Sequence, residues 1–390
     1  MSQQHPKTGI ILSGGGARAA YQVGVLKAIY QQIPQGSHNP FPIICGSSAG
    51  AINAAVLACY AGQYRIGLRR LESVWSGLHV NQVFKSDFFG MLKQSFGFAW
   101  HLFLGTSSIK YSSFLKNDPL RELLRGVVPF QRLQELINDG LLHALCITCS
   151  DYSDGGSYSF FQGHPTIKNW KRHRRLGVAD KIHLKHLLAS SAIPMIFPAI
   201  AINHQFFGDG SVGFLSPISP ALHLGADKIL IIGLDTSPDK PRYICFDKNR
   251  HPSAPEMVGH ILDSVFIDSL DSDLERIRRI NKTLDSIPEH LLEQVNLDLK
   301  KVETLLITPS QDLSSLTMNN VSEVPRATAF FLKRLGIDTK KGSNILSYIL
   351  FERDYCKALI NLGYQDGLKK AAEIKHFFRH LDSSNADVKN

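Results

Sequence analysis

No stretch of the 390-residue chain reaches the roughly 18 consecutive apolar residues that a membrane-spanning helix needs. The opening Met1-Ser2-Gln3-Gln4-His5-Pro6-Lys7 has no basic region followed by an apolar one, so no secretory signal peptide is expected. These absences point to a cytoplasmic protein or one peripheral to a membrane, with specialised secretion left open. The six cysteines (45, 59, 146, 149, 245 and 356) lack the compact spacing of a disulfide framework, and reduced thiols are expected. Acidic residues are missing from the start of the chain, where no Asp or Glu precedes Glu72. No internal repeat is visible.

Hydrophobic residues make up 44% and charged residues 20%, a balance that excludes wholesale disorder. The net charge is +9, which favours an anionic partner, either nucleic acid or lipid headgroups. The densest basic run is Lys171-Arg172-His173-Arg174-Arg175. No nucleic-acid motif accompanies it, so contact with an anionic lipid surface is the expectation and nucleic acid is not. A solvated face is the plainer reading of the same run. Protein partners are not legible.

The first half of the chain alternates strand and helix patterns. Thr8–Leu12 is a short apolar run ending at Ser13-Gly14-Gly15-Gly16, and Ala20, Val23, Leu26, Ile29 and Tyr30 then recur at helical spacing. Pro42–Cys45 reads as a second buried strand, followed after Ser48 by a helix rich in alanine. Further strands are expected at 143–149, at 199–207 with a turn near Asn203-His204, at 228–235 and at 303–308. A long amphipathic helix is expected from Ile261. Repeated strand–turn–helix units imply a mainly parallel sheet covered on both faces. Residues 84–104 are rich in aromatics and read either as a buried cap helix or as a lipid-touching lid. The polar stretch 236–256 is the expected boundary between a catalytic domain (1–235) and a mostly helical C-terminal extension (236–390).

Three turns carry candidate chemistry. Gly46-Ser47-Ser48-Ala49-Gly50 is a G-x-S-x-G sequence between a strand and a helix, where an elbow presents Ser48 as a nucleophile at a helix N-terminus. Gly14-Gly15-Gly16-Ala17-Arg18 is a second strand-to-helix turn, and its backbone N–H groups suit an oxyanion, each donor being worth about 3 kcal/mol. Gly14-x-Gly16-x-x-Ala19 also fits a dinucleotide fingerprint, but the acidic residue expected about 20 positions on is absent. Asp209, in Gly208-Asp209-Gly210-Ser211, is a candidate base, although an Asp-Gly pair is most often plain turn chemistry.

The order GGGxR, GxSxG, then Asp-Gly, together with Ala189-Ser190-Ser191-Ala192-Ile193-Pro194 ahead of the aspartate, resembles the patatin-like phospholipases over about residues 8–235. The resemblance implies a three-layer α/β/α sandwich and a lipid acyl hydrolase with a Ser48–Asp209 dyad. It further implies an oxyanion hole from residues 14–18 and no cofactor or metal. Two positions depart from the family pattern, Ala19 for a glycine and Ser211 for Gly or Ala. Alternatives remain. An α/β-hydrolase triad would draw on His223, His251, His260 or His290, and a catalytically silent lipid-binding scaffold would keep the fold alone. Cys146-x-x-Cys149 falls on a strand, where i and i+3 face opposite sides, and His183-x-x-His186 lacks a third ligand, so neither reads as a metal site.

Overall fold

The computed structural model describes residues 6–33, 39–83, 118–194, 197–212, 216–236, 254–288, 291, 299–317 and 344–387. The aromatic segment 84–104 lies outside them. The chain begins with β1 (Thr8–Leu12), a 3-10 turn (Gly16–Ala19), α1 (Ala20–Gln32), β2 (Ile43–Ser47), α2 (Ala49–Cys59), a second 3-10 turn (Ala61–Gln63) and α3 (Tyr64–Ser76). Helices α4 (Val80–Val83), α5 (Asp118–Val127) and α6 (Arg132–Asn138) lead to β3 (Ala144–Asp151), β4 (Ser157–Gly163), β5 (Trp170–Arg172) and β6 (Arg175–Ala179). Then come α7 (Leu184–Ser190), β7 (Ile200–Ile202), β8 (Gln205–Gly208), α8 (Ser219–His223), β9 (Lys228–Ile232) and α9 (Ala254–Asp285). The last elements are β10 (Glu303–Ile307), α10 (Asn344–Ile349), α11 (Arg353–Lys369) and α12 (Ala371–Asp387).

One sheet runs β10-β9-β1-β2-β3-β4-β6-β5, with the first five strands parallel. The expected α/β/α architecture is what forms, and the reason is visible strand by strand. Ile10, Leu12 and Ile44 enter one apolar cluster with α1, α2 and α3, while Ile11, Ile43 and Cys45 enter a second cluster with α8 and the end of α9. Strands buried on both faces read as continuous apolar runs, as Ile-Ile-Leu in β1 does. Cys149 sits in the first cluster and Cys146 in the second, so the two thiols lie on opposite faces of the sheet. The β7–β8 hairpin turns at Asn203 and His204, both at positive φ (48° and 68°), where Asn is better tolerated than most residues. The strands β4, β5 and β6, in which β4 is antiparallel to β3, β6 parallel to β4 and β5 antiparallel to β6, are not legible in the sequence: β4 lacks alternation, and the basic run conceals β5 and β6.

The polar stretch 236–256 does not separate two cores among the described residues. β10 pairs in parallel with β9, and Leu305, Leu346, Tyr355 and Phe378 share the first cluster with β1 and α1. The junction is close backbone packing between α1 and α11. A Cβ on Gly24 would lie 1.9 Å from the Ile360 carbonyl oxygen, and one on Gly363 would lie 2.1 Å from that of Tyr21. The buried Tyr21 hydroxyl also donates to Asp366 at 3.3 Å. Replacing Gly363 by valine forces the two backbones apart, and the expected cost is about 3 kcal/mol or more. Urea unfolding of Gly363→Val checks this; an unchanged midpoint would mean that α11 is not part of the cooperative core.

Candidate functional site

β2 delivers the chain to Ser48 at the carboxyl end of the sheet, and α2 leaves immediately behind it. Ser48 has φ 51° and ψ −129°, a conformation outside the allowed regions for most side chains. The two flanking glycines make room for it. A Cβ on Gly46 would stand 2.7 Å from the Cβ of Ala54, and one on Gly50 would stand 2.2 Å from the Leu12 carbonyl oxygen. Only glycine lets the elbow lie this close to β1 and to its own helix, and the alanines of α2 serve the same closeness.

Asp209 follows β8 and faces the elbow. The Ser48 hydroxyl donates to Asp209 Oδ2 at 2.5 Å. The other carboxylate oxygen accepts from the Ser211 N–H at 2.8 Å. Asp209 is fully buried, and burial raises its pKa from the ordinary 3.8 to about 6, against the opposing pull of hydrogen bonds from Ser48 and Ser211. Gly210 is required by space: a Cβ there would sit 1.8 Å from the Thr148 carbonyl oxygen of β3.

Two serines hold these turns together, and neither was given a role in the sequence. Ser190 Oγ donates to the Thr148 carbonyl at 2.6 Å and accepts from the Ser48 N–H at 2.9 Å. Ser47 Oγ accepts from the Gly14 N–H at 3.2 Å and from the Ser211 hydroxyl at 3.3 Å. Ser190 had a signal, since it lies in the segment 189–194, but only its fold-given position reveals what it touches.

The residues of the glycine turn are divided in what they do. Gly14 gives its N–H to Ser47, while Gly15 packs against Leu234. Gly16, at φ 55°, lies against the Tyr348 carbonyl and lines the same cavity as Ser48. Ala17 is buried in the core. Arg18 turns away from Ser48: its Nε donates to Ser347 at 2.7 Å, and its guanidinium lies 4.0 Å from the Tyr348 ring centre. Behind the turn, Gln22 donates to the Ser13 carbonyl at 2.8 Å, Asn53 donates to Gln22 at 2.8 Å, and Trp75 donates to Asn53 at 2.8 Å. This buried polar chain ties the turn to α1, α2 and α3. The cavity in front of Ser48 is otherwise apolar, with Ile52, Trp75, Leu124, Ile193 and Phe351 among its walls.

The histidine candidates are not brought to this site where they are described. His223 stacks on Trp170 at 4.8 Å, on the face of the second cluster. His251 and His290 lie outside the described residues, as does the side chain of His260. His186 is fully buried, its Nδ1 accepting the His183 N–H at 3.0 Å and its Nε2 lying 3.3 Å from Asp180. It caps α7. No group of three His, Cys, Asp or Glu side chains fit to hold a metal occurs among the described residues, and none of their helices is long and apolar enough to cross a membrane.

A hydroxyl that donates to a buried, raised-pKa carboxylate beside an apolar cavity can take part in acyl transfer. The comparisons with known proteins bear on that chemistry. No curated protein matches the chain. Among solved structures, VipD from Legionella pneumophila is similar at 13% identity, over 92% of this chain and 67% of that one, with a TM-score of 0.34. At that likeness no property transfers. A family model described as patatin-like phospholipase matches residues 10–222, from β1 through the turn of Asp209 into α8. That match covers more than half of the chain, and the chain belongs to the patatin-like phospholipase family, a family of lipid hydrolases.

Proposed function

We propose that this protein hydrolyses carboxylic esters of phospholipids, lysophospholipids or related lipids through a Ser48 acyl-enzyme, with Asp209 as the general base. The observation that carries the reading is the 2.5 Å hydrogen bond from Ser48 to the buried Asp209. Ser48 Oγ attacks the ester carbonyl as its proton passes to Asp209 Oδ2. The tetrahedral oxyanion is met by backbone N–H groups of the Gly15–Gly16 turn and of the first residues of α2, where unpaired N–H groups and the helix dipole favour negative charge. Collapse expels the alcohol, which takes the proton from Asp209. Water then attacks the acyl-enzyme with Asp209 again as base, and the fatty acid leaves. The apolar walls around Ile52, Trp75 and Leu124 suit an acyl chain.

Fatty-acid release from phospholipid vesicles tests the reading directly. Wild type is expected to release fatty acid, while Ser48→Ala and Asp209→Asn are expected to lose at least about a thousandfold in rate. Activity surviving in Asp209→Asn alone would transfer the base role to another group.

The buried carboxylate makes a second, independent measurement possible. An acid lifted from 3.8 to about 6 is destabilised as an anion by about 3 kcal/mol. That penalty is absent below pH 3.8, where Asp209 is protonated folded and unfolded alike, and is complete above about pH 6. Asp209→Asn should therefore melt at or above the wild-type temperature at pH 8 while losing activity. A large fall in its melting temperature would mean that the anion is a structural requirement.

The same group sets the pH profile. Activity needs the Asp209 anion, so kcat/KM is expected to rise with pH along a single ionisation near pH 6 and then level. A profile flat from pH 5 to 8 would remove Asp209 as the base whose ionisation controls turnover.

A further inference from the structure

The sheet register lines up residues for which ester hydrolysis has no use. Gly208 pairs with Ser150, Ser150 with Ser157, Ser157 with Arg175, and Arg175 with Arg172. Paired residues share a face of the sheet, so this row crosses β8, β3, β4, β6 and β5 on one side and at the end that carries Asp209. Tyr152 and Phe206 each stand two residues from the row, on the same face, and the Tyr152 N–H donates to the Phe206 carbonyl at 3.0 Å. Both aromatic side chains are open to solvent, Tyr152 at 53% and Phe206 at 57% exposure. The Tyr152 ring lies over Gly208, where a Cβ would be 2.4 Å from its hydroxyl.

The other end of the row is basic. Lys171, Arg172, His173 and Arg174 are exposed on the β5–β6 hairpin, with Arg175 half-buried. Strand spacing puts Arg175 about 14 Å from Gly208, three strands away. The two ends are joined by Arg174, which sits at φ 53° and donates to the Gly155 carbonyl at 3.0 Å, in the turn that follows Tyr152. Two carboxylates share the area. Asp151 is buried, and Asp154 is engaged by the Gly156 N–H at 2.6 Å and the Tyr158 hydroxyl at 3.1 Å.

We propose that this face docks the protein onto a bilayer containing anionic phospholipid. Tyr152 enters the headgroup layer with its hydroxyl wet, and Phe206 buries an apolar ring at the boundary beneath it. Arg172 and Arg174 face the lipid anions, each basic side chain near such a surface gaining about fivefold in partitioning. Segments far apart in sequence, 152–155, 172–175 and 206, are brought to one face only by the fold; that face is on the side of the second cluster and meets Asp209 at the carboxyl end of the sheet, the apolar cavity opening on the other side. The location rests on the lipid-hydrolase reading, but binding to an anionic bilayer does not require turnover.

Vesicle flotation with the full chain separates the two. Wild type and Ser48→Ala are both expected to float with phosphatidylcholine vesicles containing phosphatidylglycerol, more weakly as salt rises, and poorly with phosphatidylcholine alone. The double variants Arg172→Glu/Arg174→Glu and Tyr152→Ser/Phe206→Ser are each expected to lose at least about tenfold in partitioning, with melting temperatures near wild type because all four positions are open to solvent. Should the aromatic pair prove necessary for folding, Phe206→Ser alone is expected to lose about threefold. Unchanged partitioning in both double variants would overturn the proposal, as would wild-type binding indifferent to phosphatidylglycerol. Tighter binding to a DNA duplex than to vesicles, lost in the same variants, would reassign the face to nucleic acid. Flotation without fatty-acid release would leave docking standing and the hydrolase reading refuted.

Discussion

A hydrogen bond between two groups 161 residues apart, Ser48 and Asp209, is the contact that most of the described architecture converges on. It asks for two sharp turns at the carboxyl end of one sheet, each closer to its neighbours than a side chain would permit. Gly46 and Gly50 allow the first turn to lie against β1 and α2, and Gly210 allows the second to lie against the Thr148 carbonyl. Ser190 and Ser47 then lock the turns to each other through hydroxyls that would be costly to leave unpaired in a dry interior. The strained Ser48 backbone persists because all of these neighbours oppose its relaxation.

The C-terminal third of the chain takes part in this closure. Arg18 is buried, and a buried guanidinium without partners would be prohibitive, so its ties to Ser347 and Tyr348 are needed wherever the glycine turn is buried. Gly16 touches the Tyr348 backbone at a distance only glycine permits. The shape of the turn that faces Ser48 therefore depends on residues some 330 positions later in the chain. β10 and α11 make that dependence firm by joining the same sheet and the same core.

Much of the site was readable from residue order because its chemistry is local. A strand, a G-x-S-x-G turn and an alanine-rich helix specify an elbow by themselves, and Asn203-His204 specified its hairpin. What was not legible depends on packing across the fold. Nothing around Ser347 or Tyr348 in sequence marks them as partners of Arg18, and a boundary drawn from composition at 236–256 could not register that β10 completes the sheet. The strands β5 and β6 were hidden for a different reason. Their basic residues lie on the edge strand β5 and at the start of its neighbour β6, where charge takes the place of the apolar alternation that announces a half-buried strand, and on β5 it also guards the exposed edge against unwanted pairing.

On the proposed reading, Asp209 must satisfy two demands that pull apart. A carboxylate in water, at its ordinary 3.8, is too weak a base to relieve a serine hydroxyl of its proton effectively. A carboxylate buried with no donors would stay protonated at neutral pH and accept nothing. The observed environment lies between these limits. Complete burial strengthens the base, while the hydrogen bonds from Ser48 and from the Ser211 N–H stop the rise at about 6, so that the anion still predominates at pH 7. The position of Ser211, fixed by the turn that Gly210 makes possible, is thus as much a condition of the chemistry as the aspartate itself. Adding an apolar group at this turn would move the base toward its neutral form, and opening it to water would weaken the base.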